Sequence, residues 1–210
     1  MNWQKLQNKK LIWVLVMLFI LSMAIIIGFI VKKSDLENDN IPTFEEKQLV
    51  EASWICDKET VTKLLSDNKS IVDAKNEFGT TALMAVSQMG CADLVELLLE
   101  EYGANVNIEN FYSRTALMLA DCSSFDTIKI LLSNGADVHV KNKCCGSTTL
   151  MLVSGSYDNY IDVIKLLISY GADVNTQDNE GKTAIDYAQE SSNPNKKEVI
   201  QLLQKEAQQN

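Results

Sequence analysis

One short string recurs four times in this chain, and that recurrence limits the possible folds more than any other feature. The copies are Thr81-Ala82-Leu83-Met84, Thr115-Ala116-Leu117-Met118, Thr148-Thr149-Leu150-Met151 and Thr183-Ala184-Ile185-Asp186, starting 34, 33 and 35 residues apart. A second string interleaves at the same period: Gly103-Ala104-Asn105-Val106-Asn107, Gly135-Ala136-Asp137-Val138-His139 and Gly171-Ala172-Asp173-Val174-Asn175. Each follows an apolar triplet, Leu97-Leu98-Leu99, Ile130-Leu131-Leu132 or Leu166-Leu167-Ile168. Two strings interleaved at one period mark one structural unit copied along the chain, which is how a solenoid is written.

Each string has a physical task. Gly103, Gly135 and Gly171 end apolar helical runs, where the chain turns left-handed and glycine does so without strain. Asn76-Glu77-Phe78-Gly79 and Asp178-Asn179-Glu180-Gly181 read as tight turns, Asx first and glycine last. The threonine after each turn can cap the next helix through its hydroxyl. Ala and Leu behind it give that helix a thin, closely packing face. Both helices of a unit are short and half apolar, so each must bury its face against neighbouring units.

On these residues the chain resembles an ankyrin-repeat protein, in which a turn leads to a Thr-Pro-Leu-His-type helix start, a leucine-rich second helix and a Gly-Ala-Asp-Val-Asn ending. The resemblance covers residues 44–210 and implies an all-α ankyrin-repeat solenoid: helix-turn-helix units with β-turn fingers, about five helix pairs counting both caps. The caps are residues 44–72, which lack both strings, and the last unit, which ends in the polar tail Gln204–Asn210. Polar, atypical ends suit a stack whose outer faces meet water. This chain departs from the pattern in two places. Ala82, Ala116, Thr149 and Ala184 replace the proline, and Met84, Met118, Met151 and Asp186 replace the histidine. Apolar packing is expected where that histidine would link repeats.

Before the repeats lies a different kind of segment. From Leu11 to Val31 only Ser22 and Gly28 are not strongly apolar, and Lys9, Lys10, Lys32 and Lys33 flank the run. As a helix it would be about as long as a ~30 Å hydrocarbon core is thick, and helix is the form one isolated segment can take there. Ser22-Met23-Ala24 offers small residues to a signal peptidase, but Ile25 to Val31 continues the apolar run where a polar mature end should begin. The expectation is therefore an uncleaved signal-anchor: a basic tail 1–10, a transmembrane helix 11–31 in the lipid bilayer, a polar tether 32–43 and the repeat domain 44–210. The lysine bias at its two ends places the N-terminus in the cytoplasm and the repeats outside it, in the periplasm of a Gram-negative cell.

Charge and composition narrow the function. Lys5, Lys9, Lys10, Lys32 and Lys33 are the only charges before Asp35, so residues 35–210 carry −14 within a net charge of −9. So acidic a body repels a phosphate backbone, which excludes nucleic acid as a partner. One histidine rules out a multi-histidine metal site, and no nucleophile elbow, phosphate loop or zinc-ligand pair is present. His139 stands alone in the slot of Asn107 and Asn175, without the partners catalysis needs. The chain reads as a non-enzyme with no cofactor and no metal site.

Five cysteines leave at least one thiol unpaired, so no disulfide framework is indicated. Cys56, Cys91 and Cys122, near helix ends, read as small core fillers. Cys144-Cys145 lies in a turn one residue longer than its counterparts, where two exposed thiols could sense redox state or hold a soft metal.

The resemblance implies that turn tips and first-helix faces form a concave protein-binding surface. The matching positions are Glu77, Phe78, Thr80, Phe111, Tyr112, Arg114, Lys143, Cys144, Ser147, Asn179, Glu180 and Lys182. Phe78, Phe111, Tyr112 and Arg114 are the residue types that anchor interfaces. The function expected is a membrane-anchored scaffold that binds a protein partner bearing a basic patch. The alternatives are a redox or metal sensor at Cys144 and Cys145, or an inhibitor or protective partner of an enzyme.

Overall fold

The structure, a computed structural model, describes residues 42–158 and 160–208. The chain divides into the units Met1–Ile41 and Pro42–Asn210. The expected tail 1–10, membrane helix 11–31 and nearly all of the tether lie in the first unit, outside the described residues. No helix among the described residues is long and apolar enough to cross a membrane.

The second unit is built from five helix pairs: α1 (Phe44–Trp54) with α2 (Lys58–Asp67), α3 (Ala82–Gln88) with α4 (Ala92–Glu100), α5 (Ala116–Leu119) with α6 (Phe125–Ser133), α7 (Thr149–Ser154) with α8 (Ile161–Ser169), and α9 (Ala184–Glu190) with α10 (Lys196–Ala207). First helices pack on first helices in the order α1, α3, α5, α7, α9, and the second helices α4, α6 and α8 stack behind them. The described residues contain helices and turns and no strand.

The two layers differ in burial because they differ in neighbours. In α3, Ala82 to Ser87 are all buried, since the helix is covered above, below and behind. Its alanines let those neighbours approach. In α4 only the stripe Leu94, Val95, Leu98 and Leu99 is buried, the pattern of a helix with one solvent face. Leu83, Leu98, Ile128, Leu131, Leu150, Ile164 and Leu167 are among the largest fully buried side chains along the stack. Each stabilises the fold by roughly 1.5–3 kcal/mol through removal of apolar surface from water.

Local signals act as the spacing predicts with one exception: the Thr115 hydroxyl, buried at the start of α5, makes no capping bond there. The hydroxyls of Thr81 and Thr148 accept the N–H groups of Met84 and Met151. Met84 and Met151 are buried and Met118 half-buried. In the fourth copy Asp186 instead reaches back, accepting the Thr183 N–H at 2.8 Å and its hydroxyl at 2.7 Å. Helix α5 is one turn long because Ala120 turns extended and Asp121 forms an Asx turn, accepting the Ser123 N–H at 2.9 Å.

The cysteines correct an expectation. Cys56 and Cys91 are joined in a disulfide across 35 residues, with Cα atoms 6.3 Å apart. Cys56 follows α1 with φ of 54°, where the next unit has Gly90 with φ of 69°, and Cys91 precedes α4. The bond thus ties the corner of the first pair to that of the second. Cys122 is half-buried against the core, and burial with Asp121 nearby pushes its thiol up to about 11.

Candidate functional site: the finger face

Four turns, here called fingers, precede α3, α5, α7 and α9. In each, an Asx side chain does the folding. Asn76 Oδ1 accepts the N–H groups of Phe78 and Thr80 at 2.9 and 3.0 Å, and Asn110 Oδ1 those of Tyr112 and Arg114 at 2.9 and 3.1 Å. Asn142 and Asp178 repeat the arrangement on Cys145 and Ser147 and on Glu180 and Lys182. The left-handed residue that closes each finger is Gly79, Ser113, Gly146 or Gly181.

The fingers join edge to edge through main-chain hydrogen bonds. Phe111 donates to Phe78 O at 3.4 Å, Lys143 to Tyr112 O at 3.0 Å and Asn179 to Cys145 O at 2.9 Å. A single continuous rim results, and close packing along it requires glycine. A Cβ at Gly79 would stand 2.9 Å from the Phe111 ring, and one at Gly146 would meet Asn179.

Side chains on this rim divide into two sets. Phe78, Phe111 and Tyr112 are 57%, 62% and 56% exposed, and Glu77, Lys143, Cys144, Asn179 and Glu180 are exposed beside them. Thr80 and Ser147 are buried, at 7% and 0% exposure, so their side chains are part of the packing beneath the fingers. Lys182 is half-buried and tied to Glu190 at 2.9 Å and Glu180 at 3.4 Å. The hydrogen bond to Glu190 holds its ammonium above the ordinary lysine value. Arg114 is half-buried, and its enclosed Nε has no hydrogen-bond partner among the described residues. It takes part in none of the ion pairs among the described residues.

A family model for Ankyrin repeats (3 copies) matches residues 49–142 and again residues 123–210. The chain belongs to the ankyrin-repeat family. Ankyrin repeats make protein–protein interaction modules, and in this ankyrin domain a groove adjoins the first finger. Lys47, Val50, Glu51 and Trp54 of α1 and Asn76, Glu77, Phe78 and Thr80 of the first finger line an open groove of about 500 Å³. Sequence reasoning named Glu77, Phe78 and Thr80 but not the α1 side. The signal was present: Lys47, Glu51 and Trp54 stand at i, i+4 and i+7, one face of a helix.

The third finger carries the thiols. Cys144 and Cys145 Sγ lie 2.9 Å apart, and Asn142 Oδ1 is 3.3 and 3.4 Å from them. Ser147 Oγ is 3.4 Å from Cys145 Sγ and 2.6 Å from the Tyr187 hydroxyl, which donates to Asp178 Oδ2 at 2.8 Å. The Cys144 thiol, with a smaller contribution from Ser147, holds Cys145 below the ordinary thiol value. His139 is exposed in its turn, its main-chain N–H donating to Asp137 Oδ1 at 2.8 Å.

Proposed function

We propose that the ankyrin domain is a non-catalytic binding module that captures a protein partner along the groove and rim from α1 to the third finger. The observation that carries this reading is the run of three exposed aromatics, Phe78, Phe111 and Tyr112, on adjacent fingers that also carry Arg114, which makes no ion pair among the described residues. Aromatics and arginine supply most of the binding energy at interfaces, because their large area is desolvated at little cost in conformational entropy. Glu77, Lys143, Asn179 and Glu180 form the polar border of that surface. Glu51 and Glu77 in the groove, on a body carrying −14, select a partner segment with a basic patch. Association then weakens as salt rises.

The tethering part of the reading rests on residues 11–31, whose length and lysine flanks suit a signal-anchor with the ankyrin body on the non-cytoplasmic side. The Cys56–Cys91 disulfide supports that side, since such bonds persist in oxidising compartments. The anchor would keep the bound partner near the membrane, as a scaffold or as a protective subunit of an exported enzyme. Phe111→Ala with Tyr112→Ala tests the surface: partner capture is lost while the urea midpoint moves by less than about 0.5 kcal/mol equivalent, as for surface substitutions. Undiminished capture by the double variant removes the site. A membrane-impermeant protease added to spheroplasts tests the topology, and protection of the ankyrin body reverses the orientation.

A further inference from the structure

The third finger is one residue longer than the other three, and it carries two thiols side by side. Cys144 and Cys145 are both free, the first exposed and the second half-buried, with Sγ atoms in contact at 2.9 Å. The buried Asn142 side chain keeps them together, its Oδ1 accepting from Cys144 Sγ at 3.3 Å and from Cys145 Sγ at 3.4 Å. Contact between sulfurs is what a disulfide needs, but the backbone here resists one. Consecutive Cα atoms lie ~3.8 Å apart, closer than in an unstrained disulfide, so a bond between neighbours forces the backbone to move and is readily reduced. Cys56 and Cys91, with Cα atoms 6.3 Å apart, are under no such constraint. The chain thus holds one pair suited to a lasting bond and one suited to a reversible bond.

We propose that Cys144 and Cys145 form a reversible oxidation site, closed into a disulfide by exchange with a small-molecule disulfide of the glutathione type, and that closure unlocks the third finger from the fourth. The exposed Cys144, as thiolate, attacks one sulfur of glutathione disulfide, and one glutathione thiolate leaves. Cys145, as thiolate, then attacks the Cys144 sulfur and expels the second glutathione. The protein gives up two thiol protons and two electrons, and the oxidant becomes two thiols. The low thiol value of Cys145 favours the closing step. Cys145 is also where the third finger is fastened. Its N–H donates to Asn142 Oδ1 at 3.2 Å, its carbonyl accepts the Asn179 N–H of the fourth finger at 2.9 Å, and its Sγ lies 3.4 Å from Ser147 Oγ, which is bonded to Tyr187 of α9. Backbone movement at 144–145 therefore strains the links to the last helix pair. The joint to the second finger, from the Lys143 N–H to Tyr112 O, does not pass through Cys145. The switch is independent of what the rim binds.

The test equilibrates the full-length chain in detergent with glutathione and glutathione disulfide at a series of ratios, quenches with acid, alkylates and weighs the peptides. In the wild type the peptide holding Cys144 and Cys145 should pass from two alkylated thiols to a form lighter by two hydrogens, without glutathione, and return when glutathione is in excess, while Cys56–Cys91 stays bonded throughout. In Cys145→Ser, glutathione should remain on Cys144. Across the same transition, amide exchange at Asn179 should accelerate at least about tenfold and that at Lys143 less than about twofold. Two free thiols at every ratio, a lasting glutathione adduct in the wild type, a bond between two chains, or a closed pair as resistant to glutathione as Cys56–Cys91 overturns the site. Equal exchange at Asn179 in the open and closed forms overturns the unlocking.

Discussion

Reduction of the Cys56–Cys91 bond should loosen one end of the ankyrin domain and leave the other end unchanged. The bond closes a loop across 35 residues, and the chain-entropy argument assigns a loop of that size about 4 kcal/mol of stabilisation. In a linear stack each pair contacts only its neighbours, so the effect falls on the terminal pair. The interior face of α1, with Leu49, Val50, Ala52 and Ser53 buried, meets one neighbouring helix pair among the described residues. Helix α2 contributes only Val61 and Leu65 to the buried set. Amide hydrogen exchange should therefore accelerate in α1 and α2 by up to about a thousandfold on reduction, the equivalent of 4 kcal/mol, and by only a few-fold in α8. Thiol titration of the unfolded chain anchors the comparison: three thiols before reduction, Cys122, Cys144 and Cys145, and all five after it. Equal exchange in oxidised and reduced protein, with those thiol counts verified, would refute the reasoning about the clasp. Acceleration spread evenly over all five pairs would refute the assumption of local cooperativity.

Three further perturbations probe local rules. Ser113 closes the second finger with φ of 51° where the other fingers have glycine, so Ser113→Gly should raise stability by about 0.5–1 kcal/mol in urea unfolding; a loss contradicts the strain argument. Thr149 occupies the slot of Ala82, Ala116 and Ala184, and its buried hydroxyl has no hydrogen-bond partner among the described residues. For Thr149→Ala, relief of that hydroxyl competes with loss of a methyl group, and the expected outcome lies between no change and a gain of about 1 kcal/mol. A destabilisation above that range would show the hydroxyl to be satisfied. The Thr183 N–H, followed by its hydroxyl, holds the Asp186 carboxyl below the ordinary carboxylate range. A depressed carboxyl contributes stability above about pH 4 that is lost as pH falls through its folded value. The urea midpoint of Asp186→Asn should accordingly fall less steeply than that of the wild type between pH 5 and 2, and parallel curves would show that Asp186 does not report on folding.

Much of the fold was legible because its signals are short-range. Thr81, Gly79 and Asn76 act within five residues of one another, and the same logic recurs along the stack, with Ser113 in the glycine's place and Thr115 without its capping bond in the second finger. The aromatics at the finger tips were legible too, since a turn of four or five residues leaves its central side chains outside. Burial on the finger was harder to read. Phe78 and Thr80 are two residues apart with the same turn on either side, yet one is exposed and the other buried. What covers Thr80 is the packing beneath the fingers, and no periodicity within one unit encodes that.

Spacing alone therefore determined the unit, the positions of its threonines and the turn that precedes each of them. Stacking decided what each unit meets. It brought Cys56 beside Cys91, set Lys47, Glu51 and Trp54 opposite the first finger, and joined Ser147 to Tyr187. The physical reason is that a repeat period sets how far apart equivalent residues lie along the chain. The offset and tilt between successive units decide which unlike residues touch, and these come from side-chain packing across the whole interface.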